Sequence, residues 1–270
     1  MDIEIVAALL GMAFFCELID STLGMGYGTT LTPVLLIMGY QPMQVVPAIL
    51  LTELFTGAFA AFAHHKAGNV LFDFSRDSEH RIVKKMGKLG YLPVSKDSKI
   101  AYILALCSLV GAVGAVVFAV NLKAYLTPII GVIVLAMGII ILVKHKTRSR
   151  FSWVKVTGLG LVAAFNKGLS GGGYGPLVTG GQILSGVNGK SAIAITSMAE
   201  AFTCLVGLIT YLVMGTDIDW GIVPPLMAGA VISVPLSALL VKKIDTEKFT
   251  FAVGVATAIL GCLTLYKAFF

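Results

Sequence analysis

The chain has 270 residues, of which 57% are apolar and only 13% charged, and its mean hydropathy is +0.92. Soluble domains are about 45–50% apolar and about 25% charged, so this composition excludes an ordinary soluble fold and points to a polytopic membrane protein. The net charge of +6 does not mark a nucleic-acid partner, because the basic residues gather between apolar segments, where they report orientation in a bilayer.

Asp2 and Glu4 stand where a cleavable signal would be basic, so the first apolar segment, residues 3–19, is expected to be retained. It ends at Gly24-Met25-Gly26-Tyr27-Gly28. Residues 29–38 follow, an apolar stretch of about ten residues, or roughly 15 Å of helix, which is half a bilayer. Gly39-Tyr40-Gln41-Pro42 closes it, and a full-length helix is expected over 43–64. Residues 66–97 form the one sizeable hydrophilic segment, with Arg76, Arg81, Lys84, Lys85, Lys88 and Lys96. Two more spans, 99–120 and 123–143, lead to a basic linker at 144–150.

The pattern then restarts. A helix over 152–165 runs into Asn166-Lys167-Gly168-Leu169-Ser170-Gly171-Gly172-Gly173-Tyr174-Gly175-Pro176, and a second half-length helix covers 177–184, with Pro176 suited to its first turn. Helices over 188–214, 220–241 and 247–269 complete the set. At an offset of 147 the halves align without a gap. The offset matches Gly24 with Gly171, Gly26 with Gly173, Tyr27 with Tyr174, Gly28 with Gly175, Thr32 with Thr179, Gly39 with Gly186 and Glu53 with Glu200. Glu-x-Phe-Thr recurs at the same offset, and an offset of 123 later recovers Gly131/Gly254 and Gly138/Gly261. The four cysteines, one per apolar segment, read as small packing residues and not as disulfides or metal ligands.

Charge decides the expected topology. If each glycine-loop hairpin enters and leaves on one side, 17 of the 20 Lys and Arg face the cytoplasm and both termini lie outside, as the positive-inside rule favours. The expected fold is an all-α membrane protein of eight long helices and two short ones, in two inverted five-element repeats. The first repeat spans 1–143 with a cytoplasmic loop at 66–98. A cytoplasmic linker spans 144–151, and the second repeat spans 152–270.

Inverted repeats with broken helices recur in secondary transporters, with the substrate near the midplane where the breaks meet. A half-helix beginning inside the membrane presents unpaired amides and a positive dipole end, and glycines allow close approach, a combination suited to an anion. Gly24, Gly26, Tyr27, Gly28 and Thr29 from one loop, with Lys167, Gly171, Gly172, Gly173, Tyr174 and Gly175 from the other, are therefore the candidate substrate-binding residues. Close helix packing is the bland alternative for such glycines. Glu17, Asp20, Glu53, Lys167 and Glu200 lie at membrane depth, where a charge costs about 2.5–3.5 kcal/mol or more. Glu53 and Glu200 either relay protons or brace the glycine loops by accepting amide hydrogen bonds. Lys167, equivalent to Asp20, either pairs with it or holds a substrate anion. Glu17 reads as a packing residue protonated in place, and space filling is the alternative for the two tyrosines.

Gly168-Leu169-Ser170-Gly171 looks like an intramembrane serine protease motif, but none of the four histidines is placed at that depth, so no catalytic residue is expected. Gly189-Lys190-Ser191 resembles the end of a P-loop without its first glycine or preceding strand.

The paired Gly-x-Gly-Tyr-Gly motifs, each followed by a short apolar helix and a helix carrying Glu53 or Glu200, resemble the TauE/SafE family of sulfite and organosulfonate exporters over nearly the whole chain. The resemblance implies a cytoplasmic (inner) membrane transporter that moves a small sulfur-containing oxyanion, such as sulfite or sulfoacetate, outward. It implies neither cofactor nor metal. The expected partners are the oxyanion and the lipid bilayer, with no nucleic acid, and a homodimer is left open. Each negative charge leaving an inside-negative cell gains about 2.3 kcal/mol per 100 mV, so export of an anion needs no proton coupling. Two alternatives stay open: a proton- or cation-coupled carrier using Glu53 and Glu200 as ion ligands, and, more distantly, an intramembrane enzyme.

Overall fold

The structure is a computed structural model that describes residues 3–75, 91–143, 151–240 and 246–269. Among these, ten helices follow one another in the order α1 (Ile3–Leu23), α2 (Tyr27–Met38), α3 (Pro42–Lys66), α4 (Lys96–Asn121), α5 (Leu126–Val143), α6 (Trp153–Ser170), α7 (Tyr174–Leu184), α8 (Gly189–Val213), α9 (Val223–Leu240) and α10 (Thr246–Phe269). Eight have 18 residues or more, while α2 and α7 have 12 and 11. Four segments have the length and apolar content of a membrane crossing: Pro42–Lys66, Lys96–Asn121, Lys123–Val143 and Gly189–Val213. Large apolar side chains such as Leu109, Val110, Ile232 and Leu239 are exposed on the outer faces. On a water-soluble protein such a surface would be an aggregation site; against lipid tails it costs nothing. The protein is an all-α membrane protein.

The breaks are shorter than expected. Helix α1 continues past Ile19 to Leu23 and α6 past Phe165 to Ser170. Polar residues in these last turns satisfy themselves within the helix: Ser21 Oγ donates to Glu17 and Ser170 Oγ to Asn166 O. Each helix stops only where a glycine adopts left-handed backbone, Gly24 at φ 71° and Gly171 at φ 72°. The half-helices then begin at the tyrosines, not at residues 29 and 177, so three residues form each break. The hydrophilic segment after α3 contains a two-stranded antiparallel ribbon, β1 (Phe74–Ser75) with β2 (Leu92–Pro93), which the sequence did not announce. Arg76, Arg81, Lys84, Lys85 and Lys88, and the basic linker at 144–150, lie outside the described residues.

Backbone geometry repeats at the offset of 147. Among the described residues, the eight positive-φ glycines form four pairs at that spacing: Gly24/Gly171, Gly26/Gly173, Gly39/Gly186 and Gly68/Gly215. Their hydrogen bonds repeat too. Gly24 N–H donates to Asp20 O as Gly171 N–H does to Lys167 O, and Tyr40 N–H donates to Leu35 O as Val187 N–H does to Gln182 O. The packing of helices follows the same exchange. α1 lies on α9 as α6 lies on α4, α3 meets α9 as α8 meets α4, and α3–α8 and α5–α10 pair equivalent helices with each other.

In the α5–α10 pair Gly131 faces Leu265 and Gly138 faces Ala258, while Gly254 faces Leu142 and Gly261 faces Leu135. Equivalent helices therefore run antiparallel and meet through the glycines that the offset of 123 picks out. Two buried apolar clusters each centre on one half-helix: Tyr27, Leu31 and Leu35 with Ile49, and Tyr174, Leu177 and Val178 with Ile195.

Candidate functional site

The two breaks touch. A Cβ added at Gly28 would lie 1.8 Å from Gly171 O, and one added at Gly175 would lie 2.0 Å from Gly24 O, so each loop's last glycine lies against the other loop's first. Only hydrogen side chains permit two backbones to approach this closely. Hydroxyls stitch the contact: Gly173 N–H donates to Thr29 Oγ1 (3.0 Å), and Thr179 Oγ1 donates to Gly24 O (2.9 Å). Thr32, the equivalent of Thr179, lies against Gly171 but its hydroxyl has no protein partner.

Around this contact the intramembrane charges converge. Lys167, fully buried in the last turn of α6, forms ion pairs with Glu53 of α3 and, at 2.7 Å, with Glu200 of α8. One carboxylate oxygen from each of Asp20, Glu53 and Glu200 lies within 4.8 Å of the others. The pairing expected from repeat symmetry, Asp20 with Lys167, is replaced by these two glutamates. Glu53 of α3 and Glu200 of α8, matched at the offset of 147, both reach the lysine because α3 and α8 pack on each other, whereas Asp20 turns to its own loop. The Asp20 carboxylate accepts from Tyr27 N–H (3.2 Å), and Glu53 also accepts from Gly28 N–H (3.3 Å). The first amides of α2 are thus aimed at the protein's own carboxylates, as the positive end of a helix dipole favours.

Tyr27 and Tyr174 are completely buried, and their hydroxyls approach Thr52 and Thr203 short of a hydrogen bond. Glu17 lies one turn before Asp20 and accepts from Ser21 Oγ and Thr56 Oγ1, with no basic partner among the described residues. Ser170 Oγ donates within its own helix to Asn166 O, and Gly172 N–H donates to Ser170 Oγ.

The comparison with known families now decides the relationship. The model of a family described as sulfite exporter TauE/SafE matches residues 9–76 and 91–264. The chain belongs to the TauE/SafE family. It is also 27% identical, over 97% of its length and 82% of the relative's, to the probable membrane transporter protein YtnM of Bacillus subtilis. As a TauE/SafE protein with several apolar helices, the chain is a multi-pass membrane transporter.

Some residues of this TauE/SafE site left no signal in the sequence. His64 is buried at the end of α3, its Nε2–H donating to Ser21 O and its Nδ1 accepting from Asn69. At the equivalent place Tyr211 donates its hydroxyl to Gly168 O. The two side chains do one structural job with unlike chemistry, which no residue-by-residue match detects. Thr32 and Thr179 were detectable through their match at offset 147.

Proposed function

We propose that the protein exports a small sulfur-containing oxyanion, such as sulfite or an organosulfonate like sulfoacetate, by alternating access between two inverted repeats. The observation that carries this reading is a buried ammonium, Lys167, at the contact of two glycine breaks where two half-helices begin. Such a place offers an anion one full positive charge, the N-terminal amides of α2 and α7, and buried phenol and threonine hydroxyls. The family description supports the substrate class. The antiparallel run of equivalent helices supports the inverted arrangement, since a two-fold axis across such pairs turns one repeat over relative to the other.

A second reading, a cation-coupled carrier, draws on the three carboxylates of Asp20, Glu53 and Glu200. Lys167 already stands between the two glutamates, which favours the anion reading. Transport in proteoliposomes with sulfite, sulfoacetate, taurine, sulfate and a sodium control tests both. Sulfite or sulfoacetate is expected to move and to raise the thermal stability of the purified protein. Movement of sodium alone, with no oxyanion response, would sink the anion reading.

A further inference from the structure

Three of the donors that would receive an anion at the loop contact already serve carboxylates. Lys167 Nζ is shared by Glu53 and Glu200, Gly28 N–H points to Glu53, and Tyr27 N–H points to Asp20. The charged and titratable groups facing the lysine are Glu53 from α3, Glu200 and the Cys204 thiol from α8, and Asp20 from α1, with Glu17 one turn beyond. One ammonium stands among these carboxylates; Lys167, Glu53, Glu200 and Glu17 are buried and Asp20 is partly buried. An oxyanion arriving there adds negative charge to a site that is already anion-rich. A buried charge without a partner is strongly disfavoured. The two species therefore compete for the same donors unless a carboxylate gives up its charge.

We infer that each negative charge brought to Lys167 enters together with one proton, which Glu53 or Glu200 takes up, so that the protein is an electroneutral proton–anion symporter. The inference rests on the anion-transport reading above. In the step, a hydronium ion on the open side gives up its proton and leaves water, an O–H bond forms on the displaced carboxylate, and the oxyanion takes that carboxylate's place against the ammonium. No covalent bond breaks in the substrate, and the charge of the site is the same before and after. Tyr27 and Tyr174, buried beside Glu53 and Glu200 with hydroxyls short of a partner, supply donors that the present arrangement leaves unused. The consequence reverses the expectation from charge alone: the membrane potential neither drives nor opposes the anion, and its direction follows the substrate and pH gradients.

The test uses the whole protein in proteoliposomes with a lumenal pH dye and a potential clamped by potassium and valinomycin. The probes are sulfite and methanesulfonate, the latter too strong an acid to carry a proton itself. Methanesulfonate entry is expected to acidify the lumen, and at about 100 mV, inside negative, its final distribution without a pH gradient stays near one. A uniporter of a monoanion would exclude it about fifty-fold. In the Glu53→Gln, Glu200→Gln variant the ratio is expected to move towards that exclusion, with the acidification lost. Fifty-fold exclusion without acidification in the unaltered protein overturns the coupling and leaves anion transport standing. If no oxyanion moves at acidic or alkaline pH, both fall. If sulfite alone moves, its response to the potential decides in the same way.

Discussion

At Gly28 and Gly175 a single added carbon would enter another backbone. The neighbours are the carbonyls of Gly171 and Gly24, which cannot swing aside as a side chain would. Overpacking costs typically about 1–3 kcal/mol, and the larger end applies where backbone must yield. Gly28→Ala and Gly175→Ala are therefore expected to lower the melting temperature in detergent and abolish transport. Gly180→Ala, in α7 with nothing near its added carbon, is expected to leave both unchanged; equal losses at all three would show that α7 tolerates no bulk and that the loop contact is not special. These glycines were visible in the sequence as a repeated motif, because each half must solve the same problem of close approach. Their partners were not visible, because approach between loops 147 residues apart depends on where two helices cross.

Each half-helix must have its ends satisfied, and the structure does this with side chains from distant elements. Lys267, near the end of α10, donates its ammonium to Leu36 O (2.9 Å) and Ile37 O (2.8 Å), the last carbonyls of α2. A cation at a helix C-terminus contributes about 0.3–1 kcal/mol. Lys267→Met is expected to loosen the last turn of α2, seen as faster amide exchange at Met38 to Tyr40 with little change in α7; unchanged exchange there would remove the capping role. The sequence showed that α2 and α7 are short. It did not show where they begin, because a helix stops at the first left-handed glycine and not at the first polar residue. Glu17, Ser21 and Thr22 look like a polar ending, yet they remain helical by bonding one turn back.

Across the whole molecule, the distribution of basic residues predicts the orientation in the bilayer. If that orientation holds, Asp217 and Asp219 lie outside and the segment around Lys96 inside, and a membrane-impermeant thiol reagent added to intact cells is expected to label Asp217→Cys. It is expected to spare Lys96→Cys until the cells are opened, both in a background without the native cysteines. The reverse pattern would turn the molecule over and place the glycine hairpins on the opposite sides. Most of the larger helix contacts recur when the halves are exchanged, α1–α9 with α6–α4 and α3–α9 with α8–α4.

The loops where the sequence first breaks its hydrophobic run, with Lys167 beside them, are also where the fold brings its buried charges together. The sequence by itself determined the membrane class, the two short helices, the offset of 147 and the residues whose charge is costly at depth. Each of these is a local property, either composition over a span or a backbone conformation that only glycine adopts readily. Only the tertiary structure decided that Lys167 belongs to Glu53 and Glu200 and not to Asp20. Chain order relates equivalent residues to one another, but the packing of α3 on α8 chooses which of them lie side by side. At that point two glutamates matched at the offset of 147 meet one lysine.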